Sequence, residues 1–176
     1  GAAGALMLVD EAYHPFYAET ALPWIGECPH LVVTRSTGKA WAMAGLRIGY
    51  AAAAGDVAAV LHKVRPMYET NTLAVAVFER MLDHTDEMLA SVRRLEDGKQ
   101  AFLGAMRGLG LRTLNGHGNF LHVAFGAKAQ AVHATLDGIV YYRRNSADPC
   151  LQGFSRFSAT TQERFQPIIE RIGETV

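Results

Sequence analysis

Three kinds of reactive side chain lie within the first fifty residues of this chain. Lys39 stands among small residues in the run Ser36-Thr37-Gly38-Lys39-Ala40, and Arg47 follows it eight positions later. Asp10 ends an apolar run and precedes Tyr13 by three positions. An amine that condenses with an aldehyde, a guanidinium that binds a phosphate and a carboxylate that holds a pyridinium proton are the protein groups that pyridoxal 5'-phosphate requires.

The two cations of this set also have a structural interpretation. Lys39 is then an ordinary surface charge, and Arg47 forms an ion pair with Glu11 or Asp56. We expect the cofactor interpretation to hold because Arg47 lies in a run with almost no other charge, where an arginine requires an anion. Ser36 would add a hydroxyl to the same phosphate site.

Asp10 and Tyr13 have plainer alternatives as well. Asp10 is then a helix N-cap, and Tyr13 is a half-buried packing residue. In the cofactor interpretation Asp10 ends a buried strand, where a carboxylate needs a cation or strong donors. A protonated pyridine nitrogen is such a partner.

Composition restricts the class of protein. The chain has 176 residues, of which 49% are hydrophobic and 19% are charged, as in ordinary globular proteins. Seventeen basic residues balance seventeen acidic ones, so we expect no nucleic-acid partner and no membrane partner. The histidines and the two distant cysteines show no ligand spacing, so we predict no metal and a cytoplasmic protein.

Apolar runs predict a sheet that positions the reactive groups. Residues 6–9 and 30–34 are typical of buried parallel strands, and residues 47–54 are a further strand candidate. Ligands of open α/β sheets bind beyond the carboxyl ends of the strands. Asp10 and the 36–39 segment each follow such an end, so we expect them at one rim.

Helical patterns occupy the middle of the chain. Residues 56–63 predict a short helix, a second helix begins near Asn71-Thr72, and residues 85–109 predict a long amphipathic connector. In the remainder of the chain, predicted strands and helices alternate, which is typical of a small α+β lobe. It contains predicted strands at 111–114, 119–125, 139–143 and 154–159 and predicted helices at 127–136 and 163–172.

Two ordered motifs resemble a known family. Asp10-Glu11-Ala12-Tyr13 and Ser36-x-x-Lys39-Ala40-x-x-x-Ala44-Gly45-Leu46-Arg47-x-Gly49-Tyr50 resemble the class I/II aminotransferases of fold type I, most closely the histidinol-phosphate aminotransferase branch. The resemblance implies an α/β fold, with a partial parallel-sheet large domain and a small α+β C-terminal domain. The implied divisions are 1–82 for the later part of the cofactor-binding large domain, 83–109 for the connecting helix and 110–176 for the small domain.

The resemblance also implies roles for individual residues. Lys39 would bind pyridoxal 5'-phosphate covalently and act as general base and acid, together with Asp10 at the pyridine nitrogen and Tyr13 at the ring hydroxyl. Arg47 and Ser36 would hold the phosphate.

In the small domain, Arg156 would bind the substrate carboxylate. Its alternative is an exposed arginine. Arg143 and Arg144 have two interpretations, a contact to a substrate phosphate or other acidic tail and a solvated surface.

The chain departs from the family in two respects. Gly38 stands where the family usually has a serine before the lysine, so one phosphate hydroxyl is missing, which a backbone amide or water would have to replace. The glycine-rich turn, the ring-stacking aromatic and the asparagine segment of the family's N-terminal half are absent from the sequence. We therefore expect the later half of a large domain followed by a small domain.

The expected function is transfer of an amino group between an amino acid or amino-phosphate and a 2-oxo acid such as 2-oxoglutarate. The expected assembly is a homodimer, or a complex with the missing N-terminal part. Two alternatives remain: a pyridoxal phosphate decarboxylase of a phosphorylated amino acid, and a non-catalytic truncated dimerisation module.

Overall fold

A computed structural model describes residues 4–176 and divides the chain into two compact units. The first unit ends at Leu89 and the second spans Ala90–Val176. The division falls inside the longest helix, α3, which spans Thr85–Gly108 as the sequence pattern predicts. Among residues 4–176, no helix combines the length and the apolar character needed to cross a bilayer.

The first unit contains a three-stranded sheet of order β1-β2-β3, formed by Met7–Asp10, Leu31–Ser36 and Gly49–Ala53. β1 and β2 are parallel, as predicted. β3 is antiparallel to β2, which makes the sheet mixed. The connection from β2 to β3 holds only a short 3₁₀ turn at Ala44–Leu46, and such a connection reverses the chain instead of crossing over it.

Burial differs between the two parallel strands. Leu31, Val32 and Val33 of β2 are buried, and Leu31 and Val33 form a small core with Ala21. The prediction that β1 is buried is wrong, since Leu8 is 64% exposed. β1 lies at an edge of the sheet, and within residues 4–176 it pairs only with β2.

Between β1 and β2 the chain forms turns and a 3₁₀ turn at Leu22–Gly26, in line with its three prolines. The predicted helices of this unit are confirmed as α1, Gly55–Val64, and α2, Thr72–Met81. Asn71 caps α2, because its side chain accepts hydrogen bonds from the backbone amides of Leu73 and Ala74. On α2, Leu73 is 68% exposed, whereas the Phe78 ring packs against Trp41 and Tyr50.

The second unit has an antiparallel sheet of order β4-β5-β6, formed by Arg112–Asn115, Phe120–Ala124 and Phe154–Ser158. Its other helices are α4, Ala129–Thr135, and α5, Gln162–Thr175. Around Phe102 of α3, Phe157 of β6 and Phe165 of α5, a single core excludes water. These elements agree with the predicted α+β lobe.

The predicted strand at 139–143 is wrong. Only Arg143 forms a β-bridge, with Arg156. The backbone amides of Ile139 and Val140 donate instead to the carbonyl of Leu136 at the end of α4, so this part of the run continues a helix terminus.

Lys99 is a structural residue that sequence analysis missed. Its side chain is 1% exposed, and its Nζ donates to the carbonyls of Gly116 and Gly118 at 2.8 and 3.2 Å. The Glu96 carboxylate lies 2.7 Å from the same nitrogen. A buried ammonium with three oxygen partners holds the turn before β5 against α3.

We predict that Lys99→Met lowers the free energy of unfolding by about 2–3 kcal/mol, because methionine fills the volume but removes the donor that Lys99 supplies to the Gly116 and Gly118 carbonyls. Lys128→Met, at an exposed position of the same unit, is the matched control. Urea denaturation checks the prediction. Equal midpoints for the two variants would contradict it.

Candidate active site

Lys39 lies on the loop that joins β2 to β3, and buried Thr37 closes the base of this loop. The Thr37 amide and hydroxyl both donate to the carbonyl of Ile48, at 3.4 and 2.6 Å. The Thr37 carbonyl accepts from the amide of Met43 at 3.0 Å. These bonds give the loop a defined path, from which the half-buried Lys39 projects.

The structure brings Lys39 and Tyr13 together from separate segments. Lys39 Nζ lies 5.2 Å from the centroid of the Tyr13 ring, within the range of a cation–π interaction. Tyr13 belongs to the turns after β1, and Lys39 follows β2. The parallel pairing of these strands therefore places both residues at the carboxyl-terminal edge, where Asp10 and the 36–39 segment were predicted to lie.

Asp10 is the last residue of β1 and pairs in register with Thr34 of β2. Its carboxylate accepts a hydrogen bond from the Ala12 amide at 2.9 Å and is otherwise exposed. The helix N-cap alternative is wrong, because turns and not a helix follow. Asp10 and Tyr13 line one cavity of about 340 Å³.

A second cavity, of about 220 Å³, contains the predicted phosphate ligands Ser36 and Arg47 together with Gly38. Arg47 has a φ of 55° at the end of the 3₁₀ turn, and its Nη1 donates to the carbonyl of Ala44 at 3.2 Å. Within residues 4–176 it forms no ion pair, so pairing with Glu11 or Asp56 is wrong. Arg47 is exposed, and not buried as its apolar neighbours suggested.

Gly38 lies at a close approach in this cavity. A Cβ atom there would be 3.2 Å from Ala44 Cα and 3.3 Å from Ser36 Oγ, tighter than ordinary contact. The Gly38 amide donates to Ser36 Oγ at 3.1 Å. The amide thus orients the Ser36 hydroxyl.

Glu11 and Arg35 form a buried ion pair that sequence analysis missed. Arg35 Nε and Nη2 both donate to Glu11 Oε2, at 3.1 and 2.9 Å. Glu11 also accepts from the Ala21 amide and the Thr20 hydroxyl, at 2.6 and 2.9 Å. The available signal was a glutamate directly after one apolar strand and an arginine near the end of the next.

This network has a consequence for acid stability. Burial raises the pKa of Glu11, but hydrogen bonds from Ala21, Thr20 and Arg35 outweigh it and hold the pKa below the ordinary 4.5. A carboxylate whose pKa is lower in the folded state stabilises the fold above the unfolded pKa. That contribution is lost as the pH falls through the folded pKa.

We therefore predict that Glu11→Gln lowers the urea midpoint most at about pH 7 and that its difference from the unmodified chain shrinks below about pH 4.5. Denaturation curves from about pH 7 down to about pH 3 check the prediction. A difference that does not shrink below about pH 4.5 would contradict it.

Arg156 lies on β6 of the second unit. Its guanidinium stacks 4.0 Å from the centroid of the Phe120 ring, and the residue is half-buried. With Arg143, Tyr141 and Tyr142 it lines a cavity of about 340 Å³. The fully exposed alternative for Arg156 is wrong.

Arg143 and Arg144 have different surroundings. Arg144 pairs with Asp137 at 2.7 Å, whereas Arg143 forms no ion pair within the described chain and lines the cavity with Arg156. On the strand beside Arg156, burial and the nearby guanidinium lower the pKa of His122. A cavity with two guanidiniums is suited to an anion. No group of three or more potential metal ligands occurs in residues 4–176.

A known protein family matches almost the whole chain. The model of the family described as "Aminotransferase class I and II" matches residues 2–172. The chain belongs to this family. The resemblance predicted from the Asp10 and Lys39 motifs is confirmed.

Relatives in this family include histidinol-phosphate aminotransferase 1 of Carboxydothermus hydrogenoformans, 30% identical over 96% of this chain and 48% of its own length. Histidinol-phosphate aminotransferase 2 of Pseudomonas aeruginosa is 33% identical over 99% of this chain and 48% of its own length. The chain thus spans about half the length of these relatives.

Solved structures share the fold of this chain. Histidinol-phosphate aminotransferase of Sinorhizobium meliloti, in complex with pyridoxal-5'-phosphate, matches with a TM-score of 0.78 and 24% identity over 97% of this chain and 48% of that one. L-threonine-O-3-phosphate decarboxylase of Porphyromonas gingivalis matches with a TM-score of 0.79 and 21% identity over 95% and 54%. The predicted fold class is confirmed.

Proposed function

We propose that this chain carries part of a pyridoxal 5'-phosphate aminotransferase site, which transfers an amino group between an amino acid or amino-phosphate and a 2-oxo acid. The observation that carries the proposal is the position of the Lys39 amine 5.2 Å from the Tyr13 ring, at the sheet edge where Asp10 ends β1. The names of the relatives support an amino-phosphate like histidinol phosphate. For the acceptor we propose 2-oxoglutarate.

The residues of the first unit fit this cofactor. Arg47 has no carboxylate partner in the described chain, and Ser36 presents a hydroxyl in the same cavity. Gly38 leaves free the space that a Cβ would crowd. A guanidinium, a hydroxyl and a cavity without acidic lining residues form a donor set suited to a phosphate.

Each reactive side chain then has a definite task. When bound, pyridoxal 5'-phosphate supplies an electron sink for the bonds at the substrate Cα. Lys39 Nζ would accept the proton from the substrate Cα as a general base and deliver it, as a general acid, to the C4′ carbon of the cofactor. Asp10 would hold the proton on the pyridine nitrogen, and Tyr13 would contact the ring hydroxyl.

The second unit would supply substrate recognition. Arg143 and Arg156 are joined by a β-bridge and line one cavity, so a substrate with an acidic group meets two guanidiniums there. We assign the substrate carboxylate to Arg156, and Arg143 to a second anionic group. A phosphorylated amino donor supplies such a group.

We further propose that the chain acts in an assembly, a homodimer or a complex with an N-terminal part of the family's large domain. Exposed apolar side chains on β1 and α2 support this, including Leu8 and Leu73. Cys28 and Cys150 are both free thiols, which supports a cytoplasmic setting.

The proposed function predicts covalent attachment at Lys39. The chain is mixed with pyridoxal 5'-phosphate and reduced with borohydride, and the peptides are weighed. We expect the cofactor's mass on the Lys39 peptide, none on that peptide in Lys39→Ala, and no change from Lys63→Ala at the exposed end of α1. Equal labelling of all lysines would contradict a specific site and favour the non-catalytic module.

The reaction type needs a separate measurement. Addition of L-glutamate to the loaded chain is expected to convert the cofactor's absorbance to that of pyridoxamine phosphate, with release of 2-oxoglutarate. Carbon dioxide release from a phosphorylated amino acid, without that conversion, would favour the decarboxylase alternative. Sedimentation velocity on the same samples reports whether the chain self-associates.

We predict that Arg156→Gln raises the Kd for L-glutamate by about 10- to 100-fold, because a charge-assisted hydrogen bond to the substrate carboxylate contributes about 1.5–3 kcal/mol. Arg144→Gln is the matched control, since that arginine pairs with Asp137 outside the cavity. Titration calorimetry compares them. If both variants bind as tightly as the unmodified chain, Arg156 does not bind the substrate.

A further inference from the structure

We propose that Glu11 and Arg35 are positioning residues for the cofactor-binding groups of the first unit. Their ion pair fixes the end of β1, which carries Asp10, against the end of β2, which leads to Lys39. The inference deepens the proposed function and rests on it for the identity of the cofactor.

The pair has the geometry of a rigid connection. Arg35 donates twice to one oxygen, Glu11 Oε2, and its side chain is 15% exposed against 7% for Glu11. The remaining Glu11 oxygen accepts from the Ala21 amide. A buried carboxylate with all its partners in place has few alternative orientations.

Three segments meet at this carboxylate. Glu11 comes directly after β1, Arg35 belongs to β2, and Thr20 with Ala21 lies midway along the connection between the strands. Thr20 Oγ1 donates to Glu11 Oε2 and accepts from Arg35 Nη2, both at 2.9 Å. The network therefore holds the connection and both strand ends as one body.

The neighbours of these residues in sequence are the proposed site residues. Asp10 precedes Glu11, and Ser36 follows Arg35. Glu11 lines the same cavity as Asp10 and Tyr13, and Arg35 lines the same cavity as Ser36 and Arg47. The Glu11 amide continues the β ladder by donating to the Thr34 carbonyl at 2.8 Å.

The position of Arg35 also determines the position of the loop that carries Lys39. Any relaxation of Arg35 moves Ser36, whose hydroxyl accepts from the Gly38 amide, and Thr37, whose carbonyl accepts from the Met43 amide. Loss of the Glu11 charge should therefore loosen the 36–43 segment, although Glu11 itself does not contact the proposed cofactor-binding residues of that segment.

The first test is amide hydrogen exchange on the full chain. Glu11→Gln is compared with Glu69→Gln, which removes one carboxylate from the exposed Arg65–Glu69 pair of the same unit. We expect exchange of the Gly38 and Met43 amides to accelerate at least about tenfold in Glu11→Gln only. Acceleration confined to residues 11, 20, 21 and 35 would overturn the inference.

The second test is cofactor binding. In Glu11→Gln the Kd for pyridoxal 5'-phosphate should rise at least about tenfold, and the absorbance band of the lysine-bound cofactor should shift. Arg35→Lys is a second variant, included in case Glu11→Gln does not fold. Lysine keeps the positive charge but cannot donate two parallel hydrogen bonds to Glu11, so the Kd should rise to an intermediate value. A lower urea midpoint with unchanged Kd and band would overturn the positioning role.

The two proposals fail in different ways. If the unmodified chain takes up no cofactor while the Gly38 and Met43 amides respond to Glu11→Gln, the proposed function fails and the positioning of the loop stands. If the chain takes up cofactor and neither amide exchange nor affinity responds to Glu11→Gln, the positioning role fails and the proposed function stands.

Discussion

The parallel pairing of β1 with β2, closed at its carboxyl edge by the Glu11–Arg35 ion pair, is the constraint on which the first unit depends. A parallel ladder alone leaves the segments beyond its end free to diverge. If these segments diverged, the Glu11 carboxylate would lose hydrogen-bond donors and keep a desolvated charge, which is unfavourable. The chain after each strand therefore leaves the edge in a fixed direction, and Tyr13 and Lys39 meet there.

Electrostatic pairing separates structural cations from those available to a ligand. Arg35, Lys99 and Arg144 each have a carboxylate within 2.9 Å. Arg47 and Arg143 have none in residues 4–176, and each lines a cavity. An arginine without an internal anion is suited to bind one from a ligand. Each unit thus has a cavity lined by such an arginine, in keeping with the proposed phosphorylated cofactor and acidic substrate.

From the sequence pattern, the helices were predicted more accurately than the burial and pairing of the strands. The ranges of α1, α2 and α3 follow from local periodicity and from the Asn71 cap, which depend only on neighbours along the chain. The burial of β1 and the strand at 139–143 were predicted wrongly, because an apolar run indicates what a segment prefers and not what covers it or pairs with it. The apolar side chains of β1 are exposed in a chain that spans about half the length of its relatives.

By itself, the sequence determined the family and the positions of helices α1, α2 and α3, and it supplied the residues proposed for a pyridoxal phosphate site, because these depend on residue type and spacing. Only the tertiary structure decided that Glu11 pairs with Arg35 and not with Arg47, that β3 runs antiparallel to β2, and that Lys99 is buried. The reason is physical. A charge takes the partner that folding brings within about 3 Å, and that distance depends on segments far apart in the chain.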